Sequence, residues 1–129
     1  MQWVGEYIGL PYRAYGRDRQ GVDCWGLVRL VLAEHFSIEL PDLVGDYDAA
    51  DDDAIARLID DTRTLVDAEP IDEPRDGDIA VLRYMGHTTH VGVVVGDSVL
   101  HASGTRWSIL QRRDSVHIAP RIRGYYRVS

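Results

Sequence analysis

The sequence predicts an α+β fold, with helices in its first third and an antiparallel β-sheet in its second half. Three observations carry that expectation. Apolar residues recur at helical spacing directly after Asp23, β-branched runs separated by turn signals fill the region beyond Pro74, and nothing between them repeats or reads as a linker. At 129 residues the chain suits one domain, 1–129, whose core needs neither a disulfide nor a structural metal.

Taken in order, Gln2 to Ile8 reads as a short helix that stops before Gly9 and Pro11. Leu10 to Val22 is loop-like, because Pro11, Gly16 and Gly21 break any period. Asp23 is a candidate N-cap for the run from Cys24 to Phe36, where Leu27, Val28, Val31 and Leu32 fall on one helical face. That reading puts Cys24 in the first turn of a buried helix. Pro41 closes the unit, and the segment from Asp42 to Asp61 is strongly acidic. Asp51-Asp52-Asp53 is placed to start a second helix through Leu58, since carboxylates are favoured at a helix start. Its acidity reads as a solvated face. Bound calcium is the weaker reading, because the spacing matches no EF-hand loop.

Past Pro70 and Pro74 the pattern changes to strands. Asp76-Gly77 turns into Asp78 to Arg83, and Met85-Gly86-His87 suggests a reversal. His90 to Val95 is β-branched and ends at Gly96-Asp97, a hairpin signal, with Ser98 to His101 as the returning strand. Arg121 to Val128 supplies a last strand.

Composition narrows the function classes. Acidic residues outnumber basic ones, 21 to 14, which disfavours the phosphate contacts that nucleic-acid binding requires. Arg106, Arg112, Arg113, Arg121, Arg123 and Arg127 form a local basic cluster that reads as a solvated face. No stretch approaches the ~20 apolar residues of a membrane span. The start, Met1 to Glu6, lacks the basic and apolar regions of a signal peptide. The product is therefore expected to be cytoplasmic when made.

The single cysteine excludes an internal disulfide and is either an inert buried hydrophobe or a reactive thiol. A helix N-terminus lowers a thiol pKa and offers unpaired amides to an oxyanion, so the position of Cys24 suits a nucleophile. His90 opens one hairpin strand and His101 lies on the next, almost symmetric about Gly96-Asp97. Across the ladder they come near each other, so His90 can serve as base with His101 holding its ring. Zinc is the competing reading for Cys24, His90 and His101, with His87 nearby, although their spacing fits no standard zinc pattern. His35 and His117 read as surface or packing residues.

Three blocks resemble the NlpC-type cell-wall peptidases of the papain-like clan. One runs from Gly9-Leu10-Pro11-Tyr12 through Gly21-Val22-Asp23-Cys24-Trp25-Gly26-Leu27-Val28; another is Gly77-Asp78-Ile79. The last is His90-Val91-Gly92-Val93-Val94-Val95-Gly96 with Val99-Leu100-His101-Ala102-Ser103. The resemblance implies a papain-like fold, with the nucleophile helix packed on a central antiparallel sheet, and no cofactor. It assigns Cys24 as nucleophile, His90 as general base and His101 as the residue orienting it. Tyr12 matches a tyrosine that assists the oxyanion or substrate, and Asp23 an acidic residue that helps hold the substrate amine. The implied reaction is hydrolysis of the amide between D-glutamate and a diamino acid in peptidoglycan stem peptides. Trp25 departs from the small serine of many members, and its indole would fill part of a substrate subsite. The Asp23-Cys24-Trp25 form is similar to phage tail-associated members, which implies tail proteins as partners and a virion tail or the bacterial wall as location. Two other functions remain in view. One is a structural tail or tail-assembly component that keeps the fold without turnover. The other is a papain-like amidase or acyltransferase with a different substrate.

Overall fold

The computed structural model describes residues 2–42, 68–84, 88–102 and 107–128. The acidic helix expected at 51–58 and the reversal at 85–87 lie outside the described residues. Gln2–Tyr7 forms a 3-10 helix. Within the expected loop, β1 (Arg17–Asp18) and β2 (Gly21–Val22) make a minimal hairpin. It leads straight into α1, Cys24–His35.

The start of α1 is fixed by Asp23, whose backbone is extended and whose carboxylate accepts from the Gly26 amide at 2.7 Å. Its end is fixed by Phe36, whose amide bonds to the Leu32 carbonyl, and by Ser37, which turns into the left-handed region at φ 56°. Leu27, Val28, Val31 and Leu32 are fully buried, each worth about 1.5–3 kcal/mol relative to exposure.

Six strands form one antiparallel sheet in the order β3-β8-β4-β5-β6-β7. They are β3 (Ala68–Ile71), β4 (Ile79–Tyr84), β5 (Thr88–Val95), β6 (Ser98–Ala102), β7 (Ser108–Arg112) and β8 (Ile122–Val128). With α1 beside the sheet, the α+β, papain-like expectation holds. Strands β3 and β7 were not expected. Both are edge strands, and Pro70 is tolerated in β3 because an edge needs fewer ladder donors.

Alternation divides the apolar residues between two packing layers. Val91, Val93, Val95, Leu100 and Ala102 belong with α1 to the main core. Val94 and Val99 pack with Ala80, Leu82 and Ile118 in a smaller cluster. The neighbouring strands β8 and β4 are also tied by charge: Arg127 on β8 donates twice to Asp78, just before β4, at 2.9 and 2.8 Å. Asp78 is buried and also accepts from the Arg75 amide. Other arginines of the expected basic face are locally engaged, Arg112 with Asp114 and Arg121 with the His117 carbonyl. His35 is a packing residue, stacked on Trp3 at a centroid distance of 3.9 Å. No helix among the described residues is long and apolar enough to cross a membrane.

Candidate active site

The site forms where the N-terminus of α1 meets β5 and β6. Cys24, 6% exposed, is the first residue of the helix. The backbone N–H groups of Val91 and Trp25 lie near enough to its sulphur to favour the thiolate. A strand amide lies in the plane of its sheet. The sulphur therefore sits beside β5, level with the residue that follows His90. Positions 24 and 90 are distant in sequence, and the packing of α1 on β5 brings their two elements together.

The hairpin delivers the two histidines. Gly96, at φ 57°, and Asp97 form a two-residue turn that pairs Val95 with Ser98, Val94 with Val99 and Val93 with Leu100. That register leaves His90 and His101 diagonal, on the face that also carries Val94 and Val99. Gly92 stands between them and has to be glycine. A Cβ there would lie 2.6 Å from Val99 Cγ1, 2.8 Å from the Leu100 carbonyl oxygen and 3.1 Å from His101 Cβ. The space lets the rings meet edge to face, with His90 Nε2 and His101 Nδ1 at 2.9 Å. His101 is 2% exposed, and its other nitrogen, Nε2, lies 2.7 Å from Gln111 Oε1 on β7. Sequence reasoning missed Gln111, because it lies on a strand that was itself unexpected.

Burial governs the protonation states. The Cys24 thiol is pushed up from 9.0 to about 12, first by burial and then by the Asp23 carboxylate. The amides of Val91 and Trp25 and the charge of Arg17 oppose this and lose. The helix start is where the sequence placed it, but the expected lowering of the thiol is corrected: loss of solvent outweighs the helix terminus. Burial, and then the neighbouring His101 ring, push His90 down from 6.5 to about 3. His101 is also lowered by burial, against a raising hydrogen bond from Gln111. At rest the thiol and both imidazoles are neutral.

Tyr12 is half-buried and held by its bridge to Val22. Its hydroxyl pKa is raised by burial, then by the charges of Asp23 and Cys24. Asp23 is 3% exposed. Besides capping Gly26 it accepts from the Tyr15 amide at 3.0 Å and pairs with Arg17 at 2.9 Å. Tyr15 takes the left-handed φ of 61° to make that contact. Trp25 is 4% exposed, with its indole N–H donating to the Pro41 carbonyl at 3.0 Å. The structure pairs His90 with His101, keeps Tyr12 and the Val91 amide within electrostatic reach of Cys24, and turns Asp23 and Trp25 toward the frame of α1. Among the described residues no three His, Cys, Asp or Glu side chains are grouped so as to hold a metal ion.

The chain as a whole is similar to known proteins. The model of the NlpC/P60 family matches residues 9–123. The murein DD-endopeptidase MepS/murein LD-carboxypeptidase of Escherichia coli strain K12 is 26% identical over 104 residues, covering 80% of this chain and 47% of that protein. The chain thus spans about half the length of the curated relatives it matches. The crystal structure of the NlpC/p60 domain of the peptidoglycan hydrolase SagA superimposes with a TM-score of 0.62 at 20% identity, covering 98% of this chain and 94% of that one. An NlpC/P60 family protein from Bacillus cereus ATCC 10987 gives 0.66 at 19% identity, covering 95% of this chain and 36% of that one. These two likenesses concern the fold.

Proposed function

This chain belongs to the NlpC/P60 family, and on that premise we propose that it is a cysteine peptidase hydrolysing amide bonds in peptidoglycan stem peptides. The observation that carries the reading is the bonded His90–His101 pair on a hairpin whose strand β5 packs against α1, the helix that begins at Cys24. Nothing in apolar packing requires two imidazoles to pair there.

In the proposed cycle Cys24 attacks the substrate carbonyl while its proton passes to His90. Because the resting groups are neutral, the transfer accompanies attack instead of preceding it. The tetrahedral oxyanion forms near the first turn of α1 and Tyr12. Collapse expels the amine, which takes the proton from His90, and leaves a thioester on Cys24. His90 then draws a proton from water, whose hydroxide releases the acid and restores the thiol. His101 holds the His90 ring through the 2.9 Å contact.

The bond favoured is that between D-glutamate and a diamino acid. Asp23 and Trp25 are proposed to shape the subsite from its wall, since both are nearly buried. The named activities of the E. coli relative make a DD-endopeptidase or LD-carboxypeptidase reaction the second reading. The Asp23-Cys24-Trp25 form supports a narrower setting, a hydrolase carried on a phage tail and delivered to the wall, with tail proteins as partners. Digestion of purified, chemically defined muropeptides, read by mass spectrometry, tests the function and locates the bond. New amine and carboxyl termini with wild type, absent with Cys24→Ala, support it. A folded wild type that leaves every muropeptide intact overturns it and favours a structural tail component.

A further inference from the structure

We infer that Gln111 is a positioning residue that sets the direction of the proton chain through His101 and His90, and so makes His90 a base toward Cys24. The inference rests on the proposed hydrolase chemistry and goes one residue beyond it.

A neutral imidazole carries one N–H and one lone pair, so a hydrogen-bonded line of two imidazoles has only two arrangements. In the first, His101 Nε2–H donates outward to an acceptor, His101 Nδ1 accepts from His90 Nε2–H, and His90 Nδ1 keeps a lone pair. In the second every bond is reversed, and His90 Nδ1 carries the proton. Only the first leaves His90 able to take a proton from a thiol. The two imidazoles cannot choose between these alone, because the contact between them is satisfied either way.

The choice is made at the outer end. His101 Nε2 meets the carbonyl oxygen Oε1 of Gln111 at 2.7 Å, and an oxygen can only accept. With the amide oxygen turned to it, His101 donates there from Nε2, and the first arrangement follows for the whole line. The supporting geometry is built in. The ladder of β6 and β7 pairs Val99 with Gln111 and His101 with Ile109, so Gln111 lies one step diagonal from His101 on the same face. His90 stands one diagonal step further on β5. The side chains of three adjacent strands thus form one line, His90–His101–Gln111, with contacts of 2.9 and 2.7 Å. His101 is almost wholly buried, so water is a poor substitute for the amide oxygen.

The test reads the tautomers directly. Imidazole 15N–1H correlation spectra of the 15N-labelled protein, with signals assigned by His90→Gln and His101→Gln, should show both histidines protonated at Nε2 near neutral pH. A wild-type His90 protonated at Nδ1 overturns the inference. Gln111→Met should let the second arrangement appear for both rings. It should lower kcat by about tenfold to a hundredfold, the range for losing an outer partner of a functional histidine, with KM and melting temperature little changed. Gln111→Glu keeps an acceptor oxygen in place and should restore the wild-type tautomers and most of kcat at mildly alkaline pH. Wild-type tautomers and kcat in Gln111→Met would overturn the inference equally. The spectra need no turnover, so an inactive wild type would count against the hydrolase reading while the tautomers still decide the role of Gln111.

Discussion

Alkylation of Cys24 followed across pH distinguishes a neutral resting site from a preformed thiolate–imidazolium pair. A thiol raised from 9.0 to about 12 has a thiolate fraction at neutral pH roughly a thousandfold below that of an ordinary cysteine. Burial also hinders the reagent, but that hindrance does not depend on pH, so the profile is more informative than the absolute rate. Cys24 is the only cysteine in the chain, and intact-mass spectrometry after iodoacetamide treatment reads its modification without interference. The rate constant should rise tenfold per pH unit from pH 7 to 10 with no plateau. Asp23→Asn keeps a capping side chain and removes the charge that is the second largest cause of the shift. It should raise the rate by about tenfold at every pH in that range. A plateau already reached by pH 7 would refute the reasoning. It would mean that the helix terminus and His90 ionise the thiol despite its burial.

Three further outcomes follow from the same geometry. His90 titrates below its ordinary 6.5 in the folded protein, so the unfolded chain binds more protons in mild acid and stability falls as pH falls. Between pH 7 and 5 that loss is up to about 2 kcal/mol from His90, and urea unfolding should show it shrinking in His90→Gln. Gly92→Ala places a methyl against Val99 and the Leu100 carbonyl. It should cost about 1–3 kcal/mol in a thermal melt and lower kcat, because His101 is among the atoms displaced. Asp78→Ala leaves Arg127 without its two-bonded partner and the Arg75 amide without its acceptor. Chemical denaturation should register a loss of about 3 kcal/mol, with Cys24 reactivity nearly unchanged.

Much of this was legible in the sequence where a local signal and a long-range one agreed. Asp23 before a helical apolar run marked the start of α1 to the residue, and Gly96-Asp97 between β-branched runs marked the hairpin that joins His90 to His101. Strands β3 and β7 were not legible. Ala68-Glu69-Pro70-Ile71 contains a proline, and Ser108 to Arg112 has only two apolar residues. Each becomes a strand because a neighbour supplies a ladder, β8 in one case and β6 in the other. Gln111 was hidden for the same reason, since its role depends on the register of β7 against His101. The sign of the thiol shift was hidden differently. A helix terminus shows in the spacing of residues, whereas the closure of β5 and Asp23 around the sulphur exists only in the folded chain.

The most direct trial of the account is a rapidly quenched reaction of the wild-type protein with a defined stem peptide, read by intact mass and peptide mapping. It should reveal a transient adduct, equal in mass to the acyl half of the substrate, bonded to Cys24 and missing from Cys24→Ala along with all cleavage. Cleavage that continues in Cys24→Ala, or that proceeds with the acyl group carried elsewhere, would contradict the claim that this sulphur and its imidazole do the chemistry.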